Sequence, residues 1–154
     1  MQDRLSPAQL TVRGMEFMRN TLEGGVTAVR DCGGKDYIEF AIRDAYNQGR
    51  FLGPTMRCAG RMICMTGGHG NRTGRIADGA AEVVKAVREQ VHAGSDLVKI
   101  MATGGVMTPG VNPEDAHYSA EEMKAGITEA HRFHKCCASH AQGALGILNA
   151  VRGG

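Results

Sequence analysis

The chain has no apolar run long enough to cross a bilayer, no block of lysine and arginine, and no cysteine pair at C-x-x-C spacing. Each absence removes a class. Without an apolar span the expectation is a soluble protein. A formal charge of +2 with no basic tract argues against nucleic acid or an anionic membrane as partner, which leaves small molecules. The opening stretch "MQDRLSPAQL" lacks the basic-then-apolar order of a secretion signal. The five cysteines, Cys32, Cys58, Cys64, Cys136 and Cys137, form no even framework. We therefore expect reduced thiols in a cytoplasm, packed as small hydrophobes in or near strands. At 154 residues, with 42% apolar content, the chain can build the core of one ordinary domain, and no linker divides it.

Glycine is what the sequence has in quantity. Its 22 copies cluster between periodic segments, so they mark loops and not a repeat tract. A first helix is expected from Ser6, with Pro7 in its first turn, to the Gly24-Gly25 stop. Its apolar face holds Leu10, Met15, Phe17, Met18 and Leu22. Further helices are expected over Tyr37 to Asn47, near Ala80 to His92, after a Ser119/Glu122 capping box, and through "GALGILNAVR". Strands are expected near 26–31, 55–60, 96–101 and 136–140. Their starts lie about 29, 41 and 40 residues apart, the spacing of βα units wound into a parallel sheet.

In such sheets chemistry collects in the loops at the carboxyl ends of the strands. The loops after "TMRCAG" and "DLVKI" run about twenty residues each, well beyond the usual handful. Asp31, His69, Lys99 and His140 all fall at or just beyond strand ends. Other motifs carry less. "GGHGNRTG" fails the dinucleotide fingerprint because Thr73 stands in place of its third glycine, and no G-K-[ST] follows for a phosphate loop. His131 and His134 in "HRFH" lack a third ligand and read as exposed helix residues. Asp31, between Arg30 and the "CGG" turn, reads as a turn cap or a structural ion pair.

Lys99 interrupts the apolar run of "SDLVKIMATGG". A lysine there has three uses. It can reach solvent with its ammonium, form a Schiff base with a carbonyl substrate, or take up carbon dioxide and become a carboxylate able to bridge metal ions beside His140.

Taken in order, "GVTAVRDCGG", "TGGHG", "AGSDLVKIMATGGVMTPG" and "ASHAQG" resemble the imidazolonepropionase and Xaa-Pro dipeptidase (prolidase)-like branch of the amidohydrolase superfamily. The resemblance implies a (β/α)8 TIM barrel whose divalent metal, zinc, activates water to hydrolyse a peptide or cyclic amide bond. It makes Lys99 the carboxylated metal-bridging lysine and His140 a metal ligand, and places His69 near the substrate carboxylate. Gln142 stands at a substrate-binding position where relatives often have His or Tyr. It also implies ligands this chain lacks, an upstream H-x-H strand and a later histidine and aspartate.

A complete barrel needs about 250 residues. The expectation is therefore α/β, a partial barrel domain over 1–154 with about four βα units, inactive as this fragment. Its open edges would be covered by a homo-oligomer or by the missing barrel segments. Two alternatives stay open, a Schiff-base lyase using Lys99 and a non-catalytic oligomeric α/β protein.

Overall fold

Ser6 and Ser119 each accept a hydrogen bond from the backbone N–H three residues on, while Gln9 and Glu122 reach back to the cap N–H groups. These boxes open α1 (Pro7–Glu23) and α4 (Ala120–Arg132) where the sequence places them. The computed structural model describes residues 5–154; the first four residues of the stretch read above for a secretion signal lie outside that range. The remaining helices are α2 (Ile38–Asn47), α3 (Ala80–Ala93) and α5 (Ala144–Gly153). Among the described residues no helix is long and apolar enough to cross a membrane.

Between the helices run β1 (Ala28–Asp31), β2 (Thr55–Cys58), β3 (Ile63–Cys64), β4 (Arg75–Ile76), β5 (Val98–Met101) and β6 (Cys137–His140). All ladder pairings between these strands are parallel. β1 pairs with β2, and a second sheet has the order β4-β3-β5-β6. β3 and β4 are not among the strands expected from the sequence. They are two-residue strands inside the glycine-rich loop, too short for an alternation of hydrophobicity to register.

β2 and β3 belong to one length of chain that changes neighbours. It pairs with β1 up to Cys58 and, after a bend, with β5 through Ile63 and Ile100. The bend is at Gly60, whose φ of +75° suits glycine and whose missing Cβ leaves room for the Gln90 side chain. Gln90, fully buried on α3, accepts the Arg61 N–H at 2.8 Å and fixes the bend.

Asp96 joins the two sheets. Its N–H donates to the Cys58 carbonyl and its Oδ2 accepts the Cys58 N–H, both at 2.8 Å. The same Oδ2 takes an ion pair from Arg43 of α2 at 2.9 Å. One apolar core, around Val83, Val87, Val98, Ile100 and Met123, lies between the larger sheet and α3 and α4. A second, around Phe40, Ile42, Tyr46, Met56 and Cys58, lies between α2 and the smaller sheet, and Met15 and Met18 of α1 pack on it. Phe17 departs from the expected α1 face: it is 47% exposed. The cysteines are all free, with Cys58 and Cys64 buried, Cys32 and Cys137 half-buried and Cys136 exposed.

Glu39, in the first turn of α2, is buried, and among the described residues neither carboxylate oxygen has a hydrogen-bond partner. Burial, with the nearby Asp31 charge adding to it, pushes its carboxyl from 4.5 up to about 7.

Two stability predictions follow from this geometry. Asp96→Ala removes a charged acceptor from the Cys58 N–H and should cost about 2 kcal/mol in urea unfolding, while Asp96→Asn keeps the acceptor and should cost less. Equal losses would show that the cap is unimportant. For Glu39 the folded carboxyl holds its proton above the unfolded value, so stability is lost as pH rises from about 4.5 through about 7. Glu39→Gln has no such proton. Its stability relative to the unmodified protein should improve between pH 5 and pH 8, and a constant difference would contradict the burial effect.

Candidate functional site

Alternation along β5 decides where Lys99 points. Val98 and Ile100 enter the core beneath α3 and α4, so Lys99 and Met101 face the other side, the inner side of the sheet. β6 lies alongside in parallel register, with Lys99 opposite Ala138 and Met101 opposite His140. Paired residues on parallel neighbours share a face, which puts the side chains of Lys99 and His140 on the inner side together.

His69 approaches from the loop after β3. Its ring lies 4.6 Å from that of His140, centroid to centroid, and tilted by 42°. Its Nδ1 is 2.8 Å from Thr108 Oγ1 on the loop after β5. The ring rests on Gly105, where a Cβ would come within 2.6 Å of its Nε2. Gln142 follows at the start of the β6–α5 connection, exposed, with Oε1 3.2 Å from His140 Nε2 and its N–H donating to Thr103 Oγ1.

Burial holds the Lys99 ammonium below the ordinary lysine range, and the nearby Cys32 thiol partly offsets this. Among the described residues Lys99 forms no hydrogen bond or ion pair. His69 is likewise lowered, first by burial and then by the charges of His140, His117 and Lys99. A lowered amine is a better nucleophile than an ordinary lysine.

Sequence reasoning overlooked three residues here. His117 is buried, with Nδ1 unpartnered, and its pKa is lowered mainly by burial. It arrives because the loop after β5 doubles back through an antiparallel bridge between Thr103 and Ala116, and a distant loop contact leaves no local pattern. Cys32, taken as a packing residue, stands one position past β1 near Lys99. Arg72 lines the same cavity as Cys32 and His69, a space of about 640 Å³ that Met62, Met101 and Thr108 also border. Lys99 and His140 are not among its lining residues. Asp31 caps the turn, accepting the Gly33 N–H at 3.0 Å. His131 and His134 are exposed at the far end of α4 and play no part.

A lysine amine and an imidazole become metal ligands once deprotonated, but among the described residues no three His, Cys, Asp or Glu side chains are grouped to hold an ion.

The pattern of the amidohydrolase family matches residues 1–154, and the chain belongs to that family. Ochratoxinase from Aspergillus niger is 33% identical over 173 residues, which cover 96% of this chain and 35% of that protein. Its crystal structure superposes with a TM-score of 0.88 at 30% identity, covering 97% of this chain and 40% of that one. The crystal structure of a Xaa-Pro dipeptidase with bound methionine in the active site superposes at a TM-score of 0.92 and 29% identity, covering 98% of this chain and 41% of that one. The chain thus spans about a third of the length of the curated relatives it matches, and its parallel strands correspond to part of their barrel-like fold.

Gly105→Ala tests how the histidine pair is held. The added methyl group should cost about 1–2 kcal/mol of stability as overpacking and abolish the nuclear Overhauser contact between the His69 and His140 rings. A retained contact would show that Gly105 does not set the ring position.

Proposed function

We propose that this chain is part of the barrel of a metal-dependent amidohydrolase that cleaves a peptide or cyclic amide bond of a small substrate. The observation that carries the reading is Lys99, desolvated on the inner face, without an acidic partner among the described residues and beside the strand that bears His140. Its neutral amine attacks carbon dioxide: a C–N bond forms, one C=O bond becomes C–O⁻, and the amine proton leaves to solvent. The product is a carbamate, an anionic oxygen ligand in place of a cation. With His140 it would hold a divalent ion, zinc by the chemistry of the donors.

Such an ion supplies Lewis acidity toward an amide carbonyl and toward water. The chain's own residues do the rest. His69, braced by Thr108 and Gly105, presents its ring to the cavity where a substrate carboxylate is received, and Arg72 adds a guanidinium to the same wall. Gln142 orients His140 through its hydrogen bond and offers its amide to the substrate from the rim. The similarity to ochratoxinase and to Xaa-Pro dipeptidase supports an amide or peptide substrate. Five free thiols suit a reducing compartment, the cytoplasm.

Two protein donors hold an ion poorly, so the isolated chain should be inactive. The test combines dipeptide hydrolysis with added zinc, cobalt or manganese and carbon-13 NMR in labelled bicarbonate. Expected are no turnover and a carbamate resonance that Lys99→Ala removes. Metal-dependent turnover abolished by Lys99→Ala would overturn inactivity. An unchanged resonance in that variant would overturn the role of Lys99. The same desolvated amine favours a second reading, a Schiff-base lyase, and covalent trapping of a carbonyl substrate by borohydride at Lys99 would replace the metal reading with it.

A further inference from the structure

Gly34 sits between two polar groups that lack partners. On one side it donates its N–H to the Gly60 carbonyl at 3.0 Å, next to Arg61. On the other it packs directly on the Glu39 carboxylate, with no room for a Cβ. Glu39 is 5% exposed with both oxygens unpartnered, and Arg61 Nε is likewise buried and unpartnered among the described residues. A buried acceptor and a buried donor therefore stand unsatisfied within electrostatic reach of each other.

The turn beside them is strained. Asp36 and Tyr37, immediately before α2, both have left-handed backbones, with φ of +57° and +59°. For a bulky residue such as tyrosine this conformation persists only where the surroundings impose it. Arg61 imposes it: Nη2 donates to Asp36 Oδ1 at 2.7 Å, and the guanidinium lies over the Tyr37 ring, 5.5 Å from its centroid. The two ion-pair partners are 36% and 46% exposed, so the clamp holds weakly. The Arg61 N–H is fixed to Gln90, which leaves the side chain able to turn without moving the backbone.

We infer that the turn over residues 32–37 is a two-state switch thrown by the proton on Glu39. With Glu39 neutral, Arg61 clamps Asp36 and Tyr37 in the left-handed form. When the proton leaves to solvent, Arg61 turns its Nε–H to the Glu39 carboxylate, Asp36 is released and the strained pair relaxes. The other groups around Glu39 do not supply that partner. Asp31, at the end of β1, repels an anion there, and Arg43 on the same helix is engaged by Asp44 and Asp96. Cys58 on β2 keeps its proton, because burial pushes its thiol up to about 12. α1 meets α2 through Gly14, Met15 and Met18, which carry no charge, and Lys35 of the turn borders a groove beside α1. Burial, with Asp31 adding to it, sets the exchange near neutral pH. The movement reaches the cavity directly, since Cys32 and Met62 are parts of its wall and Gly33 packs on Met62. The switch uses neither Lys99 nor His140, so it stands apart from the hydrolase reading.

NMR from pH 5 to pH 9 follows the Arg61 Nε nitrogen, the Gly34 and Tyr37 amide nitrogens and the methionine methyl groups of this chain. Arg61, Gly34, Tyr37 and the Met62 methyl should shift together, with one midpoint near 7. Glu39→Gln should remove that transition and hold all four at their acid positions. The same variant separates the switch from the histidines, which also titrate near neutral pH. Asp36→Asn weakens the clamp of the neutral state and should lower the midpoint by about half a pH unit. A transition that survives Glu39→Gln would overturn the switch, as would an Arg61 Nε that does not move while the Glu39 carboxyl titrates. A Met62 methyl that does not shift would overturn the link to the cavity. If circular dichroism shows Glu39→Gln to be unfolded, Asp36→Asn decides, and an unchanged midpoint in that variant would overturn the inference.

Discussion

The arrangement depends on one carboxylate between two sheets. Each sheet has its own apolar core, and the strand that leaves β2 bends away from β1 before it reaches β5. At that discontinuity the Cys58 N–H and carbonyl would be left without ladder partners. Asp96 satisfies both, the N–H with its side chain and the carbonyl with its own N–H. Arg43, which also donates to the Gly94 carbonyl, neutralises the carboxylate from α2. A backbone interruption that would otherwise strand buried polar groups becomes a joint tied by charge-assisted hydrogen bonds.

Because the joint holds the two sheets at one level, the residues at their carboxyl ends meet. Cys32 leaves β1 close to Lys99 on β5, and the loops after β3 and β5 bring His69 and His117 over His140. The site is built from strand ends for position and from glycine-rich loops for approach. Gly105 illustrates the second part, since only a residue without a side chain lets the His69 ring lie so near the backbone. Desolvation then lowers both the histidine and the lysine, which favours neutral donors where cations would otherwise repel.

Most of the fold was legible because its signals are local. Serine caps, the glycine stops and the four principal strands each depend on residues a few positions apart. The short strands β3 and β4 were hidden because their pairing depends on the bend at Gly60 and on Gln90, thirty residues away. In the site, Lys99 stood out as a cation inside an apolar strand, second of the four residues of β5 and not at its end as the spacing suggested, and His140 as the last residue of β6. His117 did not, because only the antiparallel bridge at Thr103 and Ala116 carries it inward. The turn-capping role of Asp31 was readable from the glycines that follow it.

The division into two cores also bears on the order in which the chain acquires structure. Among the described residues, the core under β1 and β2 draws almost entirely on residues 15–58, with Ala93 the one contributor from beyond. Its contacts are short in sequence, so it can collapse while later residues are still emerging from the ribosome. Asp96 emerges about forty residues after Cys58, and until it does the far side of β2 has nothing to close on. The carboxylate then acts as a late latch on a nascent chain, and the interval before it engages is when the unfinished edge of β2 is most open to the wrong neighbour.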